Sequence, residues 1–210
     1  MSAKVKVCLI GCGRAGMIHA RSYAGSVKNA ELIALCDPMD ENLTAVQQEL
    51  KDIRIRWYAG SEVKSIHALG HNFRSPEMAE KYPEYYDTCT VMLEFENGIL
   101  GVITGAQYVK YGYDSRTEIL GTKGIIKVGS QKTNEVELVT PEQGIQMDSM
   151  DSWRTLFRDA YIAEANAFIE CILTDSEPKV TGHDGKMALT LVHEGLRSIL
   201  EKRPIDLKVK

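Results

Sequence analysis

The sequence predicts an α/β unit over residues 1–52, followed by an α+β domain over residues 53–210. The first unit is indicated by short apolar segments that alternate with longer helical segments. The second is indicated by a middle section of alternating apolar and polar residues, followed by two long segments with helical spacing. With 44% hydrophobic residues in 210, the chain can form a real core.

The N-terminal unit has the pattern strand, helix, strand, helix. Strands are predicted over residues 5–10 and 31–36, and their segments VCLI and LIALC are apolar on both faces, which is typical of neighbouring strands in a parallel sheet. Helical segments follow them over residues 15–24 and 38–50. Because an isolated pair of strands is marginally stable, we expect the C-terminal sheet, a partner chain or further residues to cover it.

A glycine-rich turn, GCGRAG, joins the first strand to the first helix. Its first glycine permits a tight turn, the second lets the backbone approach a pyrophosphate, and the third allows the helix to pack closely on the strand. Asp37 ends the second strand, where a carboxylate accepts from both ribose hydroxyls and repels a 2′-phosphate. The pattern predicts a partial Rossmann βαβ unit that binds NAD in preference to NADP. The predicted cofactor-binding residues are Gly11, Gly13, Arg14, Ala15, Gly16 and Asp37.

Two of these residues have alternative interpretations. Asp37 could be a turn or cap residue, and Arg14 could solvate the first helical turn instead of contacting a pyrophosphate.

The middle of the chain is predicted to form one largely antiparallel sheet. The pattern is strand-like from residue 53 onward, and residues 74–86 form a polar stretch punctuated by prolines. Asn97-Gly98 between two alternating segments is a strong hairpin signal. The strands are predicted at residues 62–73, 88–96, 99–109, 116–120, 124–128 and 135–139, the last after the polar run 131–134.

Two amphipathic helices are predicted near the C-terminus, over residues 152–173 and 184–201. Thr181 or His183 is the predicted cap of the second helix, and Pro204 is its stop signal. Both helices are expected to cover one face of the sheet and leave the other face open. The predicted apolar face of the first helix consists of Trp153, Leu156, Phe157, Ala160, Tyr161, Ala167, Phe168, Cys171 and Ile172.

Several longer segments along the chain, the first of which contains the glycine motif, are informative together. They are VKVCLIGCGRAGMIHA, CDP, RWYAGSEVKSIHALG, LEFENGILGVITGAQY, YGYDSRTEILGTKGIIKV, FRDAYIAEANAFIECI and PKVTGHDGKMAL. Together they resemble the Gfo/Idh/MocA family of NAD(P)-dependent sugar and inositol dehydrogenases, and most of all its inositol 2-dehydrogenase-type members. The resemblance implies oxidation of a ring hydroxyl of a polyol or sugar. It also implies a homo-oligomer formed through the open face of the C-terminal sheet.

The same resemblance makes two groups of side chains candidates for contact with substrate. One group, in the YGYD segment, contains Tyr111 and Tyr113 together with Asp114. The other group, predicted to share one side of a helix, consists of Asp159, Tyr161 and Glu164. The alternative for both groups is ordinary packing, of tyrosines within the sheet or of the helix against it.

The catalytic residues of the family have no counterpart in this chain. Its Glu-Lys-Pro and Asp-x-x-x-His motifs fall between the segments that match up to residue 50 and from residue 56. On the order of a hundred residues are lacking there, compared with a complete doubly wound domain. Two hypotheses follow, with the catalytic residues unassigned. The chain is a dehydrogenase, or it is a catalytically inert, internally deleted form that serves as an oligomerisation or nucleotide-binding module.

The composition argues against several other functions. A net charge of −4 gives no broad attraction to nucleic acid, and no apolar run reaches the roughly 20 residues of a membrane span. The five scattered cysteines, Cys8, Cys12, Cys36, Cys89 and Cys171, are expected to be buried thiols in a reducing compartment, the cytoplasm.

No metal site is expected. Cys8 and Cys12 lie near no second pair, and His67 and His71 on one strand would be about 13 Å apart.

Overall fold

The computed structural model describes residues 4–10, 16–36, 53–107 and 109–207. Within these ranges the chain forms two parts, a small βαβ unit and a larger part built on an antiparallel sheet. In chain order the elements are β1 (Val5–Ile10), α1 (Gly16–Gly25), β2 (Ala30–Cys36), α2 (Ile53–Ala59), β3 (Val63–His71), α3 (Pro76–Lys81), β4 (Thr88–Phe95), β5 (Leu100–Ala106), β6 (Thr117–Gly121), β7 (Gly124–Val128), β8 (Lys132–Thr140), β9 (Gly144–Ser149), α4 (Trp153–Leu156), α5 (Arg158–Thr174), α6 (Gly182–Glu201) and β10 (Ile205–Asp206).

The βαβ unit has the predicted topology. β1 and β2 are parallel, with a register that runs from Val5 opposite Ala30 to Ile10 opposite Cys36. α1 connects them, as the pattern of residues 15–24 predicts. The helix predicted over residues 38–50 lies outside the described residues.

Only one face of the β1–β2 pair is covered within the described residues. Val5 and Val7 pack into a small core, whereas Lys6 and Cys8 on the opposite face are exposed. The prediction of a buried thiol is therefore wrong for Cys8, because no element of the described chain lies over that face. Cys89 and Cys171 are half-buried.

The larger part is built on a four-stranded antiparallel sheet with the order β10-β3-β4-β5. The predicted hairpin is confirmed: Gly98 adopts a φ of +82° in the turn, and its N–H donates to the Phe95 carbonyl at 2.9 Å. Side chains on one face of the sheet pack against α6. This core consists of Val63, Ile66, Leu93, Phe95, Leu191 and Ile205.

α6 begins at the predicted cap, Thr181. The Asp184 carboxylate accepts from the Thr181 backbone N–H and hydroxyl, each at 2.9 Å, and completes a capping box. The helix ends at Lys202, whose φ of +54° turns the chain toward Pro204. The turn leads into β10, a short strand that the sequence pattern did not predict.

A helix, α2, replaces the strand expected from residue 53. The alternating letters IRIR have the period of a strand, but Gly60 with a φ of +58° follows the segment and suits a helix end. In the helix, the Arg56 side chain is only 7% exposed. Its Nε donates to Glu62 Oε2 at 2.8 Å, and its Nη1 donates to Asp184 Oδ1 at 3.0 Å. Glu62 lies in the connection between α2 and β3, Asp184 lies on α6, and the Glu62 bond raises the pKa of Arg56.

The strands after β5 do not continue the four-stranded sheet, so the prediction of one sheet is wrong within the described residues. β6 pairs with β7, and β8 pairs with β9, as two separate hairpins. β8 extends into the polar run 131–134, and β9 was not predicted because GIQMDS has little apolar content. The side chains of both hairpins are mostly exposed.

The helix predicted over residues 152–173 is divided, and its main part covers the βαβ unit instead of the sheet. Phe157, with φ −103° and ψ 13°, separates α4 from α5. Phe168 and Ile172, which the pattern assigned to the buried face, are exposed. The parallel pair needs an apolar cover, and the opposite side of α5 supplies it. The resulting core consists of Val27, Ala30, Ala165 and Ile169, with Val5, Val7 and Tyr23 packed around it.

Candidate functional site

The first candidate site is the carboxyl edge of the parallel pair. Ile10 and Cys36, the last residues of β1 and β2, lie opposite each other, and α1 begins at Gly16. The predicted residues Gly11, Gly13, Arg14, Ala15 and Asp37 lie outside the described residues, whereas Gly16 is the first residue of α1. A parallel pair with a connecting helix that starts at this edge fits a dinucleotide's pyrophosphate.

An aromatic cluster holds the first turn of α1. The ring of His19 lies 5.3 Å from the ring of Tyr161 at 85°, an edge-to-face contact. The Tyr161 ring also contacts Trp153, with ring centroids 6.1 Å apart at 68°. Tyr161, predicted as a substrate residue, therefore contacts the helix that follows the glycine motif. Its role toward substrate stays a prediction.

The two acidic residues predicted beside Tyr161 have a different environment. Asp159 and Glu164 are exposed, whereas Tyr161 is half-buried. Burial, and then the negative charge of Glu164, raise the pKa of Tyr23 on α1. Glu164 thus also lies close to α1.

The YGYD segment forms a second candidate site, beside the β8–β9 hairpin. Tyr111 is 57% exposed and borders a shallow pocket of about 210 Å³, together with Gln131, Met147 and Ser149. The Asp114 carboxylate accepts from Arg116 Nε at 2.9 Å and from Gln131 Nε2 at 2.8 Å. Gln131 and Ser149 therefore bring polar groups to this pocket, and the Gln131 side chain is held by Asp114.

The tight backbone of this segment depends on Gly112. Its φ is +112°, and a Cβ atom there would lie 2.4 Å from the carbonyl oxygen of Met150. The neighbouring Tyr113 N–H donates to the same Met150 carbonyl at 2.6 Å. Glycine at this position therefore lets the YGYD segment lie against the end of β9.

The junction of α4 and α5 connects the two candidate sites. The ring of Tyr113 packs edge-to-face on Phe157, with centroids 6.1 Å apart. The Phe157 carbonyl accepts from the N–H of Tyr161 at 3.0 Å. A continuous series of contacts thus runs from the YGYD segment, through Phe157 and Tyr161, to His19 on α1.

Asp87 is a buried carboxylate that the sequence patterns did not indicate as a candidate residue. Burial raises its pKa, but hydrogen bonds from the N–H groups of Phe73, Arg74 and Ser75 and from the Thr88 hydroxyl outweigh this effect and hold the pKa well below its usual range. An ionised carboxylate with these partners anchors the turn before α3. In the sequence, the available signal for this anchor was the turn that precedes Pro76.

The described residues contain no group of three or more His, Cys, Asp or Glu side chains that could hold a metal ion. Within the same residues, the helices are all too short or too polar to span a membrane.

Comparisons with known proteins give consistent matches. Residues 54–207 match the model of an oxidoreductase family's C-terminal alpha/beta domain. The myo-inositol 2-dehydrogenase of Thermotoga maritima is 35% identical over 154 residues, which are 73% of this chain and 45% of that protein. The scyllo-inositol 2-dehydrogenase (NAD(+)) of Bacillus subtilis is 29% identical over 155 residues, which are 74% of this chain and 44% of that protein.

The chain spans about half the length of these relatives. The fold is also similar to the scyllo-inositol dehydrogenase of Lactobacillus casei, solved with NAD(H) and scyllo-inositol. The TM-score is 0.82 at 15% identity, over 97% of this chain and 99% of that chain.

Proposed function

The chain belongs to the Gfo/Idh/MocA oxidoreductase family, and from this premise we propose that it binds NAD and acts as an inositol dehydrogenase-like oxidoreductase. The observation that carries the proposal is the position of α1 at the carboxyl edge of the parallel pair, beside Ile10 and Cys36. The GCGRAG motif and Asp37 directly follow these strand ends in the sequence. The substrate is a polyol or sugar whose ring hydroxyl is oxidised to a ketone.

The relatives support this assignment. Two of them are named as myo- and scyllo-inositol dehydrogenases, and a structure of similar fold holds NAD(H) and scyllo-inositol. Because the matched region is less than half of each curated relative, the activity of the whole enzyme is part of the proposal.

In the proposed site, the residues of this chain bind and orient the ligands. The amides of Gly11, Gly13 and Gly16 would hold the pyrophosphate at the positive end of α1, and Asp37 would accept from the adenosine ribose hydroxyls. When bound, NAD supplies the hydride acceptor. Tyr111 and Tyr113 bind the polyol hydroxyls. The domain boundary that we propose divides residues 1–52 from residues 53–210, with α5 of the second domain covering the first.

Calorimetric titration with NAD and NADP tests the cofactor site. Asp37→Asn is expected to weaken NAD binding by roughly 10- to 100-fold, because hydrogen bonds to a charged group contribute about 1.5–3 kcal/mol. Asp151→Asn, which changes an exposed carboxylate elsewhere, is the matched control. A wild-type protein that does not bind NAD would refute the proposal.

Turnover is tested separately, by following NAD reduction with myo-inositol, scyllo-inositol and a panel of sugars. Reduction of NAD by any of these polyols supports the dehydrogenase. NAD binding with no turnover across the panel would contradict the catalytic part and leave a nucleotide-binding module.

The second candidate function is a catalytically inert, internally deleted protein that associates through its C-terminal sheet. Large apolar side chains are exposed along β5 to β9, and monomeric proteins rarely leave such a surface in water. They are Leu100, Val102, Leu120, Ile125, Ile126, Val128, Val136, Leu138, Val139, Ile145 and Met147. A homo-oligomer is proposed for both functions.

Light scattering after size-exclusion chromatography tests the association. Leu138→Asp on β8 is expected to shift the protein toward a monomer, because it would bury a charge at the interface. Val180→Asp, at another exposed apolar position, is the control. A wild-type protein that is a monomer at all concentrations would contradict the proposed association.

A further inference from the structure

The βαβ unit is attached to α5 at both ends of α1. Beyond the C-terminal end of α1, the backbone N–H of Lys28 donates to Asn166 Oδ1 at 2.9 Å. The Asn166 amide is oriented by its own bond to the Ile162 carbonyl, also at 2.9 Å. In the first turn of α1, His19 contacts Tyr161. Two separated attachments restrain the tilt of a helix as well as its position.

The residues of α5 that pack against the βαβ unit form one ridge. Tyr161, Ala165 and Ile169 follow each other at four-residue steps, and such residues lie on one side of a helix. Ala165 and Ile169 are 3% and 2% exposed in the core shared with the βαβ unit. Tyr161 continues the ridge as a half-buried ring, toward the end of α1 that carries the glycine motif.

Tyr161 is itself held in place by the C-terminal part of the chain. Its ring lies between His19 and Trp153, and its N–H donates to the Phe157 carbonyl. Trp153 and Phe157 belong to the α4–α5 junction that also packs on Tyr113. The position of the first turn of α1 is therefore tied to the YGYD segment through side chains that are far apart in the sequence.

We infer that Tyr161 is a positioning residue, which holds the first turn of α1 in place through its contacts with His19 and Trp153. The inference rests on the proposed NAD site, because the amides at the start of a helix must point at the pyrophosphate that they bind. Coupling between ligand binding and the position of α1 is reciprocal. We therefore expect NAD binding to change the surroundings of Trp153.

Hydrogen exchange tests the positioning without any ligand. In Tyr161→Leu, the amides of residues 19–22, the first that can be protected by helical hydrogen bonds in α1, are expected to exchange roughly 2- to 10-fold faster, because aromatic contacts of this kind shift an equilibrium by about a few-fold. Tyr161→Phe keeps the ring and is expected to exchange more slowly than Tyr161→Leu. Phe168→Ala removes an exposed ring from the same helix and is the control. Equal exchange in Tyr161→Leu and the wild type would overturn the inference.

Cofactor titrations supply a second readout. In the Trp57→Phe background, which removes a tryptophan that is 68% exposed, the remaining tryptophan is Trp153. NAD is expected to change its emission, and Tyr161→Leu is expected to weaken NAD binding by roughly 2- to 10-fold, whereas Tyr161→Phe, which keeps the ring, is expected to bind more tightly than Tyr161→Leu. Unchanged affinity in Tyr161→Leu would overturn the inference.

The two proposals fail in distinguishable ways. If the wild type does not bind NAD, the proposed cofactor function is refuted, and hydrogen exchange alone decides whether Tyr161 holds the start of α1. If Tyr161→Leu does not fold, the emission of Trp153 in the Trp57→Phe protein remains a test. Unchanged Trp153 emission in a protein that binds NAD would overturn the inference.

Discussion

Replacing Ser198 with alanine removes a single oxygen atom, but it is expected to destabilise the protein strongly. Ser198 is fully buried on α6. Its hydroxyl accepts from the Ala68 N–H at 3.0 Å and donates to the Arg203 carbonyl at 2.7 Å. If the register of Ile205 opposite Ile66 is continued by two residues, it places Arg203 opposite Ala68. The hydroxyl therefore bridges the position where the β10–β3 ladder would otherwise continue.

The magnitude follows from the two backbone groups that the substitution leaves behind. Ala68 is 1% exposed, so its N–H loses its partner without access to water, which costs about 1–3 kcal/mol. Arg203 is exposed, and water can replace the hydroxyl at its carbonyl, so about 0.5–1 kcal/mol is lost there. The free energy of unfolding is expected to fall by about 1.5–4 kcal/mol.

Urea denaturation at fixed protein concentration measures this loss. For a domain of this size it corresponds to a lowering of the midpoint by about 1 M at an unchanged slope. Thr174→Ala, which removes an exposed hydroxyl that bonds to the Glu170 carbonyl, is the control and is expected to change stability by less than about 0.5 kcal/mol. A loss below about 1 kcal/mol for Ser198→Ala would refute the bridging role.

Three further predictions concern the four-stranded sheet and its surroundings. Gly70→Ala should lower stability by about 1–3 kcal/mol in thermal unfolding, because a Cβ atom there would lie 2.8 Å from the Tyr86 ring and 2.9 Å from Ile199; an unchanged melting temperature would contradict this packing. The lowered pKa of Asp87 stabilises the protein above the ordinary value of 3.8, and this contribution is lost as the pH falls below that value toward the folded-state pKa. Urea denaturation of Asp87→Asn across this range should show a weaker pH dependence than the wild type, and identical profiles would argue against the role. Arg56→Lys should cost about 1–3 kcal/mol, measured in the same way, because an ammonium cannot reproduce the forked contacts to two carboxylates; full stability would rule out a need for the guanidinium.

Local signals in the sequence identified many elements correctly. Val5–Ile10 and Gly124–Val128 have the predicted bounds, because each is a short apolar run next to a glycine. The Asn97-Gly98 turn and the Thr181 cap were also readable, since the chemistry of a turn or a cap depends on a few adjacent residues.

Other elements depend on partners that the local pattern does not contain. The segment Ile53–Ala59 has a strand-like alternation, but its helix lets Arg56 reach Glu62 in the connection that follows and Asp184 on the distant α6. β10 has only two residues, and its pairing with β3 creates it. The apolar side of α5 was assigned wrongly, because Phe168 and Ile172 are large but only the side with Ala165 and Ile169 fits against α1.

The candidate site divides in the same way. A glycine motif between a strand and a helix, with an acid after the next strand, predicts a cofactor from a few neighbouring residues. The contact of Tyr161 with His19 joins residues from opposite ends of the chain, and no spacing rule predicts such a pair. The grouping of Tyr111 with Gln131 beside β9 likewise depends on a hairpin that was only partly predicted.

The sequence by itself determined the order of most strands and helices, the βαβ topology at the N-terminus, and the resemblance to inositol dehydrogenases. It did so because periodicity, turn residues and caps act over a few residues. Only the tertiary structure decided that α5 covers the βαβ unit, that the sheet stops at β5, and that Tyr161 lies against α1. The physical reason is that more than one apolar surface could pack against the same element. Which of them does so depends on how the shapes of distant segments fit together in the folded chain.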